Sequence, residues 1–205
     1  MNQRRAIILS GATLIFSLIT LLITLQVPLI QTGDQQIRQL VNQWRNPWLS
    51  TIMAGITRLF DPTLGAFIIT LTILSVWYLT NRWRALQVAT TIFSGTLINH
   101  VIKAIVNRPR PSVNILLHYS GFSFPSGHSA TAMVVFGSLI LFLSRSHYRW
   151  RTGLMILLAI LIFLVGFSRL YVGAHYLSDV IAGWSLGLMI ISGLDLIFDY
   201  IKKDR

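Results

Sequence analysis

The sequence predicts an all-α integral membrane bundle, and three observations carry that expectation. Hydrophobic residues make up 54% of the 205 positions and charged residues only 11%, whereas a soluble domain carries about a quarter of its residues charged. The apolar residues gather into runs close to the ~20 positions that cross a bilayer as a helix. Short basic, proline-rich or tryptophan-flanked segments separate those runs, as turns and interfaces between spans require.

Taken in order, the first span runs from Ala6 to about Leu25 behind Arg4 and Arg5, longer than the apolar core of a cleavable signal. The stretch from Gln31 to about Asp61 is polar. Its apolar positions Ile37, Leu40, Val41, Trp44 and Trp48 keep helical spacing, which predicts an amphipathic helix lying at the interface. Pro47 should break or kink it, and the whole reads as a connector with tryptophan anchors. A second span covers Thr63 to Leu79, with Trp77 and Tyr78 at its far interface, and Asn81-Arg82-Trp83-Arg84 turns the chain back. The third covers Ala85 to Val106 and stops at Asn107-Arg108-Pro109-Arg110-Pro111, where two prolines forbid a continuing helix. After a loop to Phe124 come a fourth span from Gly127 to Leu143, a basic turn from Ser144 to Arg151 and a fifth span from Thr152 to Phe167. The sixth begins near Ala174 or Leu177 and ends near Phe198, before a basic tail of Lys202, Lys203 and Arg205. No repeat, low-complexity tract or second domain interrupts residues 1–205, which read as one membrane-embedded domain.

Six spans put both termini on one side. Ten of the 17 Lys and Arg fall there: Arg4, Arg5, Arg82, Arg84, Arg145, Arg149, Arg151, Lys202, Lys203 and Arg205. Arg38, Arg45, Arg58, Lys103, Arg108, Arg110 and Arg169 fall on the other. The positive-inside rule therefore predicts a multi-pass protein of the cell membrane with cytoplasmic termini. The net charge of +11 is read as orientation and not as nucleic-acid binding, since no basic run or stacking platform accompanies it. Cysteine is absent, which excludes disulfides and thiolate metal sites.

This topology gathers three polar segments at the outer face: Lys103 to Arg110, Pro125-Ser126-Gly127-His128, and Ser168 to Asp179. Ionisable groups at membrane depth need partners and a reason. Histidine with a carboxylate four residues on, as in His175 and Asp179, suits either a catalytic dyad or a metal ligand with its orienting partner. The inventory decides against metal. All six acidic residues are Asp, and Asp34, Asp61, Asp195, Asp199 and Asp204 are placed outside the cluster, leaving one carboxylate among three cations. Magnesium or paired metals need several carboxylates, and zinc needs a third ligand. Neither a metal nor another cofactor is expected.

Lys103, Arg110 and Arg169, a hydroxyl at Ser126 and the free N–H groups where Gly127 opens a helix instead suit an anion, and phosphate above all. With phosphate so held, His175, oriented by Asp179, can attack phosphorus and form a phosphohistidine. His128 can protonate the departing oxygen and then activate water. Two histidines in opposite protonation states predict a bell-shaped pH profile.

Lys103-x6-Arg110-Pro111, Pro125-Ser126-Gly127-His128 and Ser168-Arg169-x5-His175-x3-Asp179 together resemble, in order and without substitution, the three-part signature of the type-2 phosphatidic acid phosphatase superfamily. The resemblance implies His175 as nucleophile, Asp179 as its orienting partner, His128 as acid, and Lys103, Arg110, Ser126, Gly127 and Arg169 as phosphate ligands. It also implies a membrane lipid as substrate, with undecaprenyl pyrophosphate and phosphatidylglycerophosphate favoured. No obligate protein partner is implied. An anionic-lipid transporter or flippase would leave the His175–Asp179 pair and His128 without a task, and vanadate-dependent haloperoxidases of the superfamily are soluble.

The remaining polar residues receive plainer expectations. Arg108 is read as surface charge, Tyr171 and Tyr176 as interface anchors, and His118 and His147 as loop residues. Asn99 and His100 are expected to bond to neighbouring helices, Asn99 also being placed to line the site one turn before Lys103. Gly183, Gly187 and Gly193 are expected to permit close helix packing.

Overall fold

The computed structural model describes residues 2–203, and Asp204 and Arg205 of the expected basic tail lie outside the described residues. Among the described residues eight α-helices follow one another: α1 (Asn2–Thr24), α2 (Pro28–Gln43), α3 (Pro47–Arg58), α4 (Pro62–Leu79), α5 (Arg82–Val106), α6 (Gly127–Ser144), α7 (Arg151–Tyr171) and α8 (Leu177–Lys203). Local chemistry explains most of the boundaries. Proline opens α2, α3 and α4 at the position where its missing N–H costs nothing. Asn46 and Asn81 cap α3 and α5 by accepting hydrogen bonds from Leu49 N–H and Arg84 N–H at 2.9 and 3.0 Å, the ordinary work of an N-cap. Helix α5 ends where Asn107 turns left-handed, at φ 51°, just before the prolines that were expected to stop it.

Helices α1, α5, α6, α7 and α8 are long and apolar enough to cross a membrane. The apolar stretch of α4, Leu64–Leu79, is shorter; it spans about 24 Å at about 1.5 Å per residue, against a hydrocarbon core of about 30 Å. The expected connector is two helices, not one, and Pro47 marks the break. Trp44 and Trp48 are exposed on it, as interfacial anchors should be. The face it buries mixes charge with apolar side chains: Asp34 and Arg38 are buried beside Val41, and Ile37 packs against the same core.

Helix α8 occupies the centre, packed against α1 on one side and α6 on the other, while α6 also contacts α5 and α7. Glycines set these separations. A Cβ on Gly183 would stand 2.6 Å from the Ser126 carbonyl oxygen, and one on Gly187 would stand 2.6 Å from the Met133 side chain, so both positions admit only glycine at this spacing. Gly193 is different, with nothing nearer than Leu9 at 3.9 Å. Close approach at Gly183 seats the first turns of α8 directly on the turn that opens α6, and that junction carries the polar cluster.

Candidate active site

The chain between α7 and α8 reverses through Gly173, whose φ of 77° suits glycine and few other residues. His175 lies in this turn, before the first residue of α8, so its four-residue spacing from Asp179 is not a turn of helix. The carboxylate reaches back instead. Asp179 Oδ2 accepts the Tyr176 N–H at 3.0 Å and stands 3.4 Å from His175 Nδ1. One carboxylate therefore caps α8 and faces the imidazole. The Asp179 carbonyl in turn accepts the Ser126 N–H at 3.0 Å, which joins the second sequence motif to the third.

The first motif arrives on the other side of the ring. Arg110 Nη1 donates to the Ala174 carbonyl at 2.9 Å and lies 3.0 Å from His175 Nε2, and its Nε donates to the Gly121 carbonyl at 3.0 Å. A guanidinium has no acceptor and keeps its charge, so Nε2 is the unprotonated nitrogen and the ring proton sits on Nδ1, toward Asp179. Burial, then Arg169, Arg110 and Lys103, hold the His175 imidazole well below its ordinary pKa, because each disfavours a second positive charge there. Lys103 Nζ donates to the Phe122 carbonyl at 2.8 Å.

Arg169 is fully buried and donates to the Thr57 hydroxyl. Its guanidinium carbon lies 3.9 Å from the centre of the Tyr119 ring, whose edge meets the His128 ring at 5.8 Å and which Arg110 approaches at 5.9 Å. Tyr119 thus touches one residue from each motif. Ser126 caps α6 and accepts from the Ser129 hydroxyl at 2.9 Å, leaving its own proton to donate outward. Asn99 is buried, and its Oδ1 lies 3.5 Å from where a Cβ on Gly127 would be. Among the described residues, Asn99 Nδ2, Arg169 Nε and His175 Nδ1 are buried nitrogens with no hydrogen-bond partner. All three are donors, and such donors call for an acceptor.

Several expectations need correction. Arg108 is not surface charge: its side chain is 11% exposed, and it donates to Asp179 Oδ1 at 2.6 Å, to the Ser178 hydroxyl at 2.7 Å and to Asp34 Oδ2 at 2.7 Å. Burial would lower its pKa, but the two carboxylates raise it. Asp34 and Asp61 are not remote from the cluster either, Asp61 Oδ1 lying 3.4 Å from His128 Nε2. His100 bonds to the Thr96 carbonyl of its own helix at 2.8 Å rather than to a neighbour. Tyr171 is fully buried, its hydroxyl meeting Asn46 N–H and Ser50 Oγ at 3.2 and 3.1 Å. Tyr176 lies under the Arg108 guanidinium at 4.2 Å. His118 and His147 are exposed in loop and turn.

One of these had a usable signal. Arg108 lies in the short run between the end of α5 and Pro111 that also carries Arg110, so the turn that brings Arg110 to the junction brings Arg108 near it. Asp34, Thr57, Asp61 and Tyr119 offered none, because what places them is tertiary.

Comparison with known proteins agrees with this arrangement. Residues 84–203 match the PAP2 superfamily. The chain is 32% identical over 183 residues to phosphatidylglycerophosphatase B of Bacillus subtilis, covering 86% of this chain and 88% of that protein. It is 29% identical over 153 residues to undecaprenyl-diphosphatase BcrC of the same organism, covering 71% and 72% of the two chains. The crystal structure of a transmembrane PAP2-type phosphatidylglycerolphosphate phosphatase from Bacillus subtilis superposes with a TM-score of 0.85 at 30% identity, over 96% of this chain and 98% of that one. On these matches, together with a multi-helix membrane fold that brings its three motifs to one junction, the chain belongs to the PAP2 superfamily.

Proposed function

We propose that this protein hydrolyses the terminal phosphate of a membrane lipid through a phosphohistidine at His175, without a metal ion. The observation that carries the reading is the 3.0 Å approach of Arg110 to His175 Nε2. An unprotonated nitrogen that faces a guanidinium, with Lys103 and Arg169 adding charge, is a nucleophile already beside the groups that would bind its phosphoryl target. As Nε2 forms a bond to phosphorus, the bond from phosphorus to the lipid oxygen breaks, and His128 gives that oxygen its proton. His128, now neutral, takes a proton from water as the water oxygen attacks phosphorus. The P–N bond then breaks, its electron pair returns to Nε2, and inorganic phosphate leaves. Lys103, Arg110, Arg169, Ser126 and the N–H groups at Gly127 would hold the phosphoryl oxygens, whose charge is the main thing to be stabilised in such transfers.

Phosphatidylglycerophosphate and undecaprenyl pyrophosphate are the favoured substrates, on the names of the two relatives. We take α4 as a short sixth crossing, which leaves both termini in the cytoplasm and the site at the outer face, where headgroup phosphates of that leaflet lie. Metal independence is supported by the donor set: Asp34 and Asp179 are both engaged by Arg108.

The test is phosphate release from a panel of lipid phosphates and pyrophosphates in detergent, with and without EDTA, for wild type and His175→Ala. Activity that survives EDTA and is abolished in the variant is expected, together with a radiolabelled phosphoenzyme that accumulates only when His175 is present. Hydrolysis retained by His175→Ala would remove the nucleophile assignment, and loss on chelation would restore a metal. A reporter fused to the C-terminus and found outside the cell would reverse the sidedness.

A further inference from the structure

We infer that Arg108 is a positioning residue: anchored by Asp34 of the interfacial helix α2, it fixes the Asp179 carboxylate so that the second oxygen faces His175. The inference rests on the proposed hydrolysis at His175 and adds the group that aims its partner.

The geometry assigns both terminal nitrogens of Arg108. Nη1 donates to Asp179 Oδ1 at 2.6 Å and to Ser178 Oγ at 2.7 Å, and Nη2 donates to Asp34 Oδ2 at 2.7 Å. The Tyr176 ring, 4.2 Å away, covers one face of the guanidinium. Both terminal nitrogens of Arg108 are thus turned to Asp179, Ser178 and Asp34, whereas Arg110 turns one to the His175 ring.

Asp34 is held just as firmly. Its Oδ1 accepts the Ser178 N–H at 3.0 Å and its Oδ2 the Ser178 hydroxyl at 2.5 Å. Helix α2, the turn after α5 and the start of α8 are therefore joined through buried side chains drawn from positions far apart in sequence. A charge-assisted network that bridges two carboxylates fixes direction as well as distance. With Oδ1 occupied, Asp179 has only Oδ2 to offer the Tyr176 N–H and His175 Nδ1, and the carboxylate cannot rotate.

His175 is faced by Arg110 from the turn after α5, Lys103 from α5, Arg169 from α7 and Asp179 from α8. Removing the charge of Arg108 raises the proton affinity of the Asp179–His175 pair as a unit, whichever member takes the proton. A residue that supported the fold without bringing its charge to this pair would have no such signature.

The experiment measures kcat, KM and the pH dependence of kcat/KM for wild type, Arg108→Gln, Arg108→Lys and Asp34→Asn on whichever lipid phosphate the wild type hydrolyses. For Arg108→Gln, kcat is expected to fall on the order of 10- to 100-fold, the scale of losing an orienting partner, with KM nearly unchanged. The acid limb should move up by about one pH unit. Arg108→Lys restores the limb but only part of kcat, because one ammonium cannot bridge two carboxylates. Wild-type kcat and an unmoved limb in Arg108→Gln overturn the inference, as does a loss carried by KM alone, which would make Arg108 a substrate ligand. If Arg108→Gln does not purify as a monodisperse protein, Asp34→Asn decides: a several-fold loss of kcat at constant KM supports the anchoring, and unchanged kcat overturns it. Wild-type turnover that depends on His175 while Arg108→Gln behaves as wild type defeats this inference alone, whereas a wild type that releases no phosphate defeats the proposed function with it.

Discussion

The Tyr119 ring lies face-on to the Arg169 guanidinium at 3.9 Å and edge-on to the His128 ring at 5.8 Å. A cation against an aromatic face gains about 0.5–2 kcal/mol, more as water is excluded. Arg169 has one nitrogen on Thr57 and another without a partner, and the ring face helps to keep its plane in register. Tyr119→Phe, which keeps the face, should retain kcat/KM within about twofold. Tyr119→Ala should lose about 2- to 30-fold, the same interaction expressed as a rate ratio. Equal kinetics for the two variants would reduce the ring to a cover.

Thr57 supplies the hydroxyl that Arg169 uses, and both side chains are completely buried. Thr57→Val keeps the shape but leaves a buried guanidinium N–H without an acceptor, at a cost of about 1–3 kcal/mol. Thr57→Ser restores it. The unfolding midpoint in detergent should fall for valine and recover for serine, and kcat/KM should follow the same order. An unchanged midpoint in Thr57→Val would mean that Arg169 finds another acceptor.

The pH dependence follows from the direction of the His175 shift. The proposed attack needs the neutral imidazole, and burial with Arg169, Arg110 and Lys103 lowers its pKa well below the ordinary value of 6.5. The neutral form therefore persists through neutral and mildly acidic pH and is lost only as pH falls through that lowered value. The acid limb of kcat/KM, which reports the free enzyme, should lie below pH ~6.5. Arg110→Gln should move it upward, because one of the depressing cations is gone. A wild-type limb at or above the ordinary imidazole value would contradict this environment.

Much of this was legible in the sequence for a physical reason. Lipid demands long apolar runs, prolines cannot sit inside helices without cost, and both leave local marks, so the boundaries at Pro47 and at Asn107 to Pro111 were available without coordinates. Lys103, Arg110, His128, Arg169, His175 and Asp179 were visible because a charged group in an apolar sequence is conspicuous. Arg108 and Asp34 were passed over for the converse reason. Each sits in a polar stretch where charge is unremarkable, and what buries them is their pairing across 74 positions of sequence. The buried face of α2 shows the same limit: its periodicity identified Ile37, Leu40 and Val41, but the inward face carries Asp34 and Arg38 beside Ile37 and Val41 while Leu40 is exposed, and periodicity alone does not say which charged residues a neighbouring helix will bury.

At the other end of α8, a second ionic cluster should carry stability without carrying catalysis. Asp195 has a side chain 1% exposed and receives Arg145 Nη2 at 2.5 Å, Gln87 Nε2 at 2.9 Å and Arg5 Nη1 at 3.1 Å. These partners come from α1, α5 and the residue capping α6, so one carboxylate gathers helices that are otherwise held by apolar packing. The helical rise of about 1.5 Å per residue puts it about 24 Å along α8 from Asp179, beyond any direct contact with the proposed chemistry. Replacing Asp195 by Ala leaves guanidiniums facing one another with only the more exposed Asp199 to offset them, and breaking a buried pair in this way costs about 3–5 kcal/mol. The unfolding midpoint of Asp195→Ala in detergent should therefore drop sharply, while kcat for the protein that remains folded stays within about twofold of wild type. Loss of kcat at an unchanged midpoint would mean instead that α8 transmits the state of this cluster to Asp179 and that the two ends of the helix are coupled.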